Sequence, residues 1–247
     1  MPPLNALDTW TIRENRTLEE PKAKCFLVGE GANTEFWYLD ALATRLAKEG
    51  KPELIELKPV ERTGDERNQS HPQKLLQHAW SIRNDLDGKN GFDPDTDRIV
   101  VFFDGDIYKN DPAKYSEIYR KLSEVAEVAV TYPSFELFLL LHKDNAYADL
   151  ILPNADEILE NDYAENSRRR FVEKLACDAL GMNAKHNHAV GKLAVKFELA
   201  AAAESCLNQD PTQAIGRLTS NVALTIQRII DEGKQNRTRC ALTPCWC

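Results

Sequence analysis

Three carboxylates stand at the ends of two apolar runs. Glu30 closes Cys25-Phe26-Leu27-Val28-Gly29-Glu30-Gly31, while Asp104 and Asp106 close Ile99-Val100-Val101-Phe102-Phe103-Asp104-Gly105-Asp106. If the two runs are neighbouring strands, the three side chains meet in one crevice. Carboxylates share a small volume only when they are protonated or hold a cation. An all-oxygen donor set of this charge suits Mg²⁺ or Mn²⁺. Gly31 is placed to give a tight exit from the first run, and Gly105 to bend the chain between the two aspartates. Asn33 or Thr34 is placed to cap the helix that begins at once, with Glu35 in its first turn.

A fourth acidic residue, Glu136, lies in Ser134-Phe135-Glu136-Leu137-Phe138-Leu139-Leu140-Leu141-His142, where almost every neighbour is apolar. Two readings stand side by side. Glu136 is either the first-turn acid of a helix N-capped by Ser134, or a further carboxylate of the same metal site. His142 falls where a helix-end residue would stabilise the C-terminal dipole. Lys185-His186-Asn187-His188 spells a His-Asn-His nuclease in letters alone, because that class rests on a ββα-metal arrangement.

The elements that must position these residues follow from hydrophobic patterning. Apolar runs without polar alternation indicate strands buried on both faces, as in a parallel sheet covered by helices, and such sheets bind ligands at the carboxyl ends of their strands. Strands are expected at 24–28, 54–57, 98–103 and 128–131, alternating with helices at 34–49, 72–86, 113–125 and 135–142. That β-α alternation predicts an α/β fold with a parallel sheet flanked by helices. Beyond residue 145 the pattern turns helical, with helices expected at 155–160, 167–180, 189–207 and 220–232. The organisation expected is an N-terminal arm (1–22), an α/β domain (23–145), a helical C-terminal appendage (146–235) and a Cys-containing tail (236–247). Arg62–Ser70 reads as a charged connector, and Asp87–Asp97 as a turn-rich loop.

A chain of 247 residues with 43% hydrophobic content can bury one α/β domain and a smaller addition. No run of about twenty apolar residues and no signal-peptide core are present, so no membrane association and a cytoplasmic location are expected. Cys25, Cys177 and Cys206 stand apart in apolar stretches and read as small buried hydrophobes in a reducing compartment. Cys240, Cys245 and Cys247 lack a paired C-x-x-C and a nearby His, so they read as an oxidation-prone tail rather than a zinc site. The net charge of −8 argues against a protein that coats nucleic acid nonspecifically. It leaves room for an enzyme that reaches a phosphodiester through a bound divalent ion, which reverses the local sign. Any basic track must then be local. Arg168, Arg169 and Arg170 are the candidates for substrate binding, with Lys185 and its basic neighbours beside them; the alternative for each is an ordinary solvated helix face.

A strand-end Glu followed by Gly, then D-x-D at the end of a later strand, resembles the TOPRIM fold, the metal-binding domain of topoisomerases, primases and the overcoming-lysogenization-defect nucleases. Glu30, Asp104 and Asp106 match that pattern. Glu30-Gly31-Ala32-Asn33-Thr34-Glu35 with Trp37 soon after, the 134–142 segment, and Asn208 to Leu224 with Pro211, Thr219, Asn221 and Val222 resemble more closely the RloB-like, or AbiLii-type, TOPRIM proteins of bacterial restriction and abortive-infection loci. Tyr132-Pro133 and Phe138 stand where that family carries Asn-Pro and Trp.

The resemblance covers most of residues 24–232. It implies a Mg²⁺-dependent nuclease, acting on RNA, including tRNA, or on DNA as the toxic effector of anti-phage defence. In that picture Asp104 and Asp106 ligate the metal, and Glu30 ligates a second ion or serves as general base. Lys185 acts against the transition-state phosphate. The resemblance also implies a separate ABC- or AAA-type ATPase partner, since this chain has no G-x-x-x-x-G-K-[ST] loop. The alternative is a non-catalytic module in which the same carboxylates hold a structural or regulatory Mg²⁺ while the chain senses a nucleotide or a partner. The choice between RNA and DNA, and whether the chain is a homo-oligomer, stay open.

Overall fold

The computed structural model describes residues 23–31, 33–52, 54–61, 72–84 and 90–241, with side chains as far as Gly233. The expected N-terminal arm, the Arg62–Ser70 connector, part of the 87–97 loop, the side chain of Cys240, and Cys245 and Cys247 lie outside the described residues.

Four strands, β1 (Ala23–Gly29), β2 (Ile55–Pro59), β3 (Arg98–Asp104) and β4 (Glu127–Tyr132), are parallel. A two-residue strand, β5 (Thr219–Ser220), joins β4 antiparallel, giving the order β2-β1-β3-β4-β5. Each parallel strand leads into a helix: α1 (Thr34–Lys48), α2 (Pro72–Arg83), α3 (Pro112–Ser123) and α4 (Phe135–Leu140). Then follow α5 (Ala155–Glu160), α6 (Phe171–Leu180), α7 (Phe197–Glu204) and α8 (Val222–Ala241).

The unbroken apolar runs are explained by helices on both faces. Cys25 and Leu27 of β1, with Val100 and Phe102 of β3, pack with α1 and α4. Their alternate neighbours Phe26, Val28, Ile99, Val101 and Phe103 pack with α2 and α3. Helix α1 contributes Tyr38, Leu39, Leu42 and Leu46, one apolar stripe at helical spacing. Strands β1 and β3 are neighbours, with Cys25 paired to Arg98 and Gly29 to Phe102. The chain leaves β1 towards β2 on one side and returns to β3 on the other. A crevice therefore opens between the carboxyl ends of β1 and β3, the kind of switch point where open α/β sheets bind ligands.

The C-terminal half shares this core. Val172, Ala176, Phe197, Val222, Ile226 and Ile229 belong to the same buried cluster as Leu27 and Phe102. Ser220 does not begin a helix as the pattern suggests; together with Thr219 it pairs with the open edge of β4. Asn221 extends that pairing, its Oδ1 accepting from Val130 N at 2.6 Å and its Nδ2 donating to Val128 O at 3.2 Å. The backbone polar groups of β4 are thus satisfied where the edge would otherwise be bare.

The helix expected from Ser167 starts only at Phe171. Residues 163–170 form a small hairpin instead, with Tyr163 bridged to Arg170 and Ala164 N donating to Arg169 O at 2.9 Å. Asn166 turns the hairpin at φ 55°, a left-handed conformation that Asn tolerates. The helix expected over 189–207 is a 3₁₀ stretch over His188–Lys196 followed by α7. Of the three thiols expected to be buried, only Cys25 is; Cys177 is half-buried and Cys206 exposed. Among the described residues, no helix is long and apolar enough to cross a membrane.

Candidate functional site

At the β1/β3 switch point lies a cavity of about 550 Å³ lined on its acidic side by Glu30, Glu35, Asp104, Asp106, Glu136 and Glu173, and by Arg170, Lys185 and His186. Glu30 follows the last residue of β1, and one of its oxygens accepts a hydrogen bond from Asp104 N at 2.9 Å. That contact ties the ends of β1 and β3 together. Asp104, in register with Thr131 of β4, accepts a hydrogen bond from the Thr131 hydroxyl. Asp106 opens the 3₁₀ turn Asp106–Tyr108.

The two glycines do their work through close approach rather than unusual backbone. A Cβ on Gly31 would stand 1.9 Å from a Glu35 carboxylate oxygen, and Glu35 Oε1 accepts from Gly31 N at 2.9 Å. Gly105 has ordinary dihedrals, φ −85° and ψ −8°, but a Cβ there would meet the Tyr132 ring at 2.8 Å. Neither Asn33 nor Ser134 caps its helix through the side chain, although both occupy the N-cap position. At α1 the Glu35 carboxylate reaches back to the chain instead.

The opposite wall comes from the C-terminal half. Lys185 Nζ lies 2.8 Å from a Glu173 oxygen and 3.7 Å from a Glu136 oxygen. Thr34 Oγ1 donates to Ala184 O at 3.3 Å, which fixes the Lys185 turn against α1. Arg170 Nε lies 3.9 Å from Asp106 Oδ2. Burial, followed by the charges of Glu30, Glu35 and Glu136, pushes the Asp104 carboxyl well above its usual range, against the opposing Thr131 hydrogen bond. Burial also raises Asp106, with Arg170 pulling the other way. For Lys185, burial lowers the pKa, but Glu136, Glu173 and Asp104 outweigh it and the net shift is upward.

Glu30, Asp104, Asp106, Glu136, Arg170 and Lys185 are therefore brought to one cavity, and Glu136 is both a first-turn residue of α4 and part of the site. Arg168 is exposed on the hairpin, and Arg169 pairs with Glu173 at 3.4 Å; neither lines the cavity. Glu35 is legible from sequence only as a helix-start acid, and Glu173 carries no local signal at all, since folding alone brings α6 to the strand ends.

The donor chemistry fits a hard divalent ion: several carboxylates, one of them strongly disfavoured as an anion by burial and then by its acidic neighbours. Among the described residues, no three Asp, Glu, His or Cys side chains are gathered into a group that could hold a metal ion. Glu30 is engaged with a backbone N–H, while Asp106 and Glu136 face Arg170 and Lys185. The carboxylates share a cavity rather than a preformed ligand cluster.

The fold and site define an α/β protein with a mixed, mostly parallel sheet and an acidic cavity at its switch point. The family model for RloB-like proteins matches residues 25–231, and the chain belongs to the RloB-like family. No curated protein and no solved structure matches it.

Proposed function

We propose that this chain is a Mg²⁺- or Mn²⁺-dependent nuclease of the TOPRIM type, hydrolysing phosphodiester bonds in RNA or DNA as the toxic effector of a cytoplasmic anti-phage system. The observation that carries this reading is the single cavity in which Glu30, Asp104, Asp106 and Glu136 face Arg170 and Lys185. Asp104, Asp106 and Glu136 would hold the ion, with Glu30 either beside them or taking a proton from the attacking water. When bound, the ion supplies positive charge to the scissile phosphate and acidifies water. Lys185 and Arg170 are placed to donate to phosphate oxygens where negative charge develops. With no G-x-x-x-x-G-K-[ST] loop in the sequence, nucleotide-driven sensing falls to a separate ABC- or AAA-type ATPase.

The test is cleavage of labelled RNA and DNA by purified protein with Mg²⁺ or Mn²⁺, compared with Asp104→Ala. The expected outcome is metal-dependent cleavage that the variant slows by roughly 100-fold or more. One observation favours a second reading, a non-catalytic module that senses a nucleotide or a partner: the carboxylates are not gathered, and two of them already face cations. Absence of cleavage by the wild type, with nucleotide or partner binding retained, would establish that alternative.

A further inference from the structure

The 163–170 hairpin carries an aromatic side chain that the proposed chemistry does not use. Tyr163 is 70% exposed, and its ring is contacted on one side. Its backbone is bridged to Arg170, and the Arg170 guanidinium lies over the ring at 5.5 Å from the centroid. Arg170 is itself fixed, with Nη1 donating to Asn161 O at 3.1 Å and Nε at 3.9 Å from Asp106 Oδ2. One guanidinium thus joins an exposed aromatic ring to the wall of the acidic cavity, and Ile107, 49% exposed, lines that wall beside it.

An aromatic ring with an open surface, backed by a cation, is what a nucleobase stacks on. Bases offer their faces only when unpaired; in a duplex they are stacked on one another and only the backbone is presented. The exposed Arg168, two residues from Arg170 on the same hairpin, is available to a neighbouring phosphate, while Asp162 and Glu165 limit any nonspecific attraction.

We infer that Tyr163 and Arg170 form a base-stacking subsite beside the acidic cavity, and that the substrate class is single-stranded polynucleotide, RNA or DNA. This rests on the nuclease reading for its meaning but is tested by binding. Fluorescence anisotropy is measured with labelled oligo-dT and oligo-U strands and a blunt duplex of matched length, with Ca²⁺ in place of Mg²⁺, on wild type, Tyr163→Ala and Tyr163→Phe. The wild type is expected to prefer the strands. Tyr163→Ala should weaken strand binding about 5- to 150-fold while sparing the duplex. Tyr163→Phe, which keeps the ring, should bind strands as the wild type does. Equal affinity of the wild type for strand and duplex, no binding at all, or no strand-selective loss in Tyr163→Ala overturns the inference. Cleavage in Mg²⁺ is read in parallel. Cleavage without a Tyr163-dependent strand preference removes the subsite and leaves the nuclease, whereas Tyr163-dependent strand binding without cleavage removes the nuclease and leaves the subsite.

Discussion

His142 Nδ1 lies 3.2 Å from the Leu139 carbonyl, which can only accept, so Nδ1 donates; in the neutral ring Nε2 then accepts from the Tyr38 hydroxyl at 2.9 Å. The sequence suggests a cation at a helix end. Burial decides otherwise, lowering the His142 pKa to about 4. Its folded pKa lies below the unfolded value, so its contribution is present above about pH 6.5 and is lost as pH falls towards 4, a loss of about 3 kcal/mol. Asp104 acts in the opposite sense: its raised pKa means the folded state keeps a proton to higher pH, so its cost grows as pH rises. Comparison with His142→Phe isolates the histidine. The variant should be roughly 1–3 kcal/mol less stable at pH 7, because the Tyr38 hydroxyl loses its partner, and that deficit should shrink towards pH 5 in denaturant titrations. A constant deficit across that range would show that His142 is not held neutral.

At the scale of elements, the N-terminus of α8 is organised by a carboxylate from α7. Glu204 is fully buried, and its oxygens accept from Ser220 Oγ at 2.6 Å, Ala223 N at 3.0 Å and Leu224 N at 2.8 Å. Burial raises its pKa, and these donors offset only part of that shift, so the net direction is upward; the two backbone donors are orphan groups of a helix N-terminus. Glu204→Gln would turn an amide N–H towards a backbone donor. A loss of roughly 2 kcal/mol is expected in denaturant unfolding, and an unchanged midpoint would remove Glu204 from that role. No sequence signal announces this cap, because donor and acceptor lie 16 to 20 residues apart. The β-α alternation, by contrast, was legible, since strands buried on both faces have no polar positions to disguise them. The hairpin at 163–170 was not, because Arg168 to Leu180 keeps a plausible helical pattern and the decisive turn rests on one residue, Asn166. β5 was hidden for a similar reason: two residues carry no periodicity.

Across the whole molecule, the two halves of the chain share one core, and α8 and β5 cover what β4 would otherwise expose. A chain ending at Asn145 should therefore show no cooperative melt by circular dichroism; a sharp transition would mean that the first half folds alone. The site has the same dependence. Its carboxylates at residues 30, 104 and 106 could be read from strand ends in one half of the sequence. Glu173, Arg170 and the Lys185 turn reach the cavity only because α6 and the following turn pack against α1 and α4. The ion pairs of Arg170 and Lys185 with Asp106 and Glu136 were invisible for the same reason. The proposed nuclease needs a divalent ion in this cavity. Its most direct test is a calorimetric titration of Mn²⁺ into metal-stripped wild type and into Asp104→Asn, which keeps an acceptor for the Thr131 hydroxyl. Saturable binding by the wild type, weakened about tenfold or more in the variant, is the predicted result. Equal uptake by the two proteins, or none by the wild type, would contradict it.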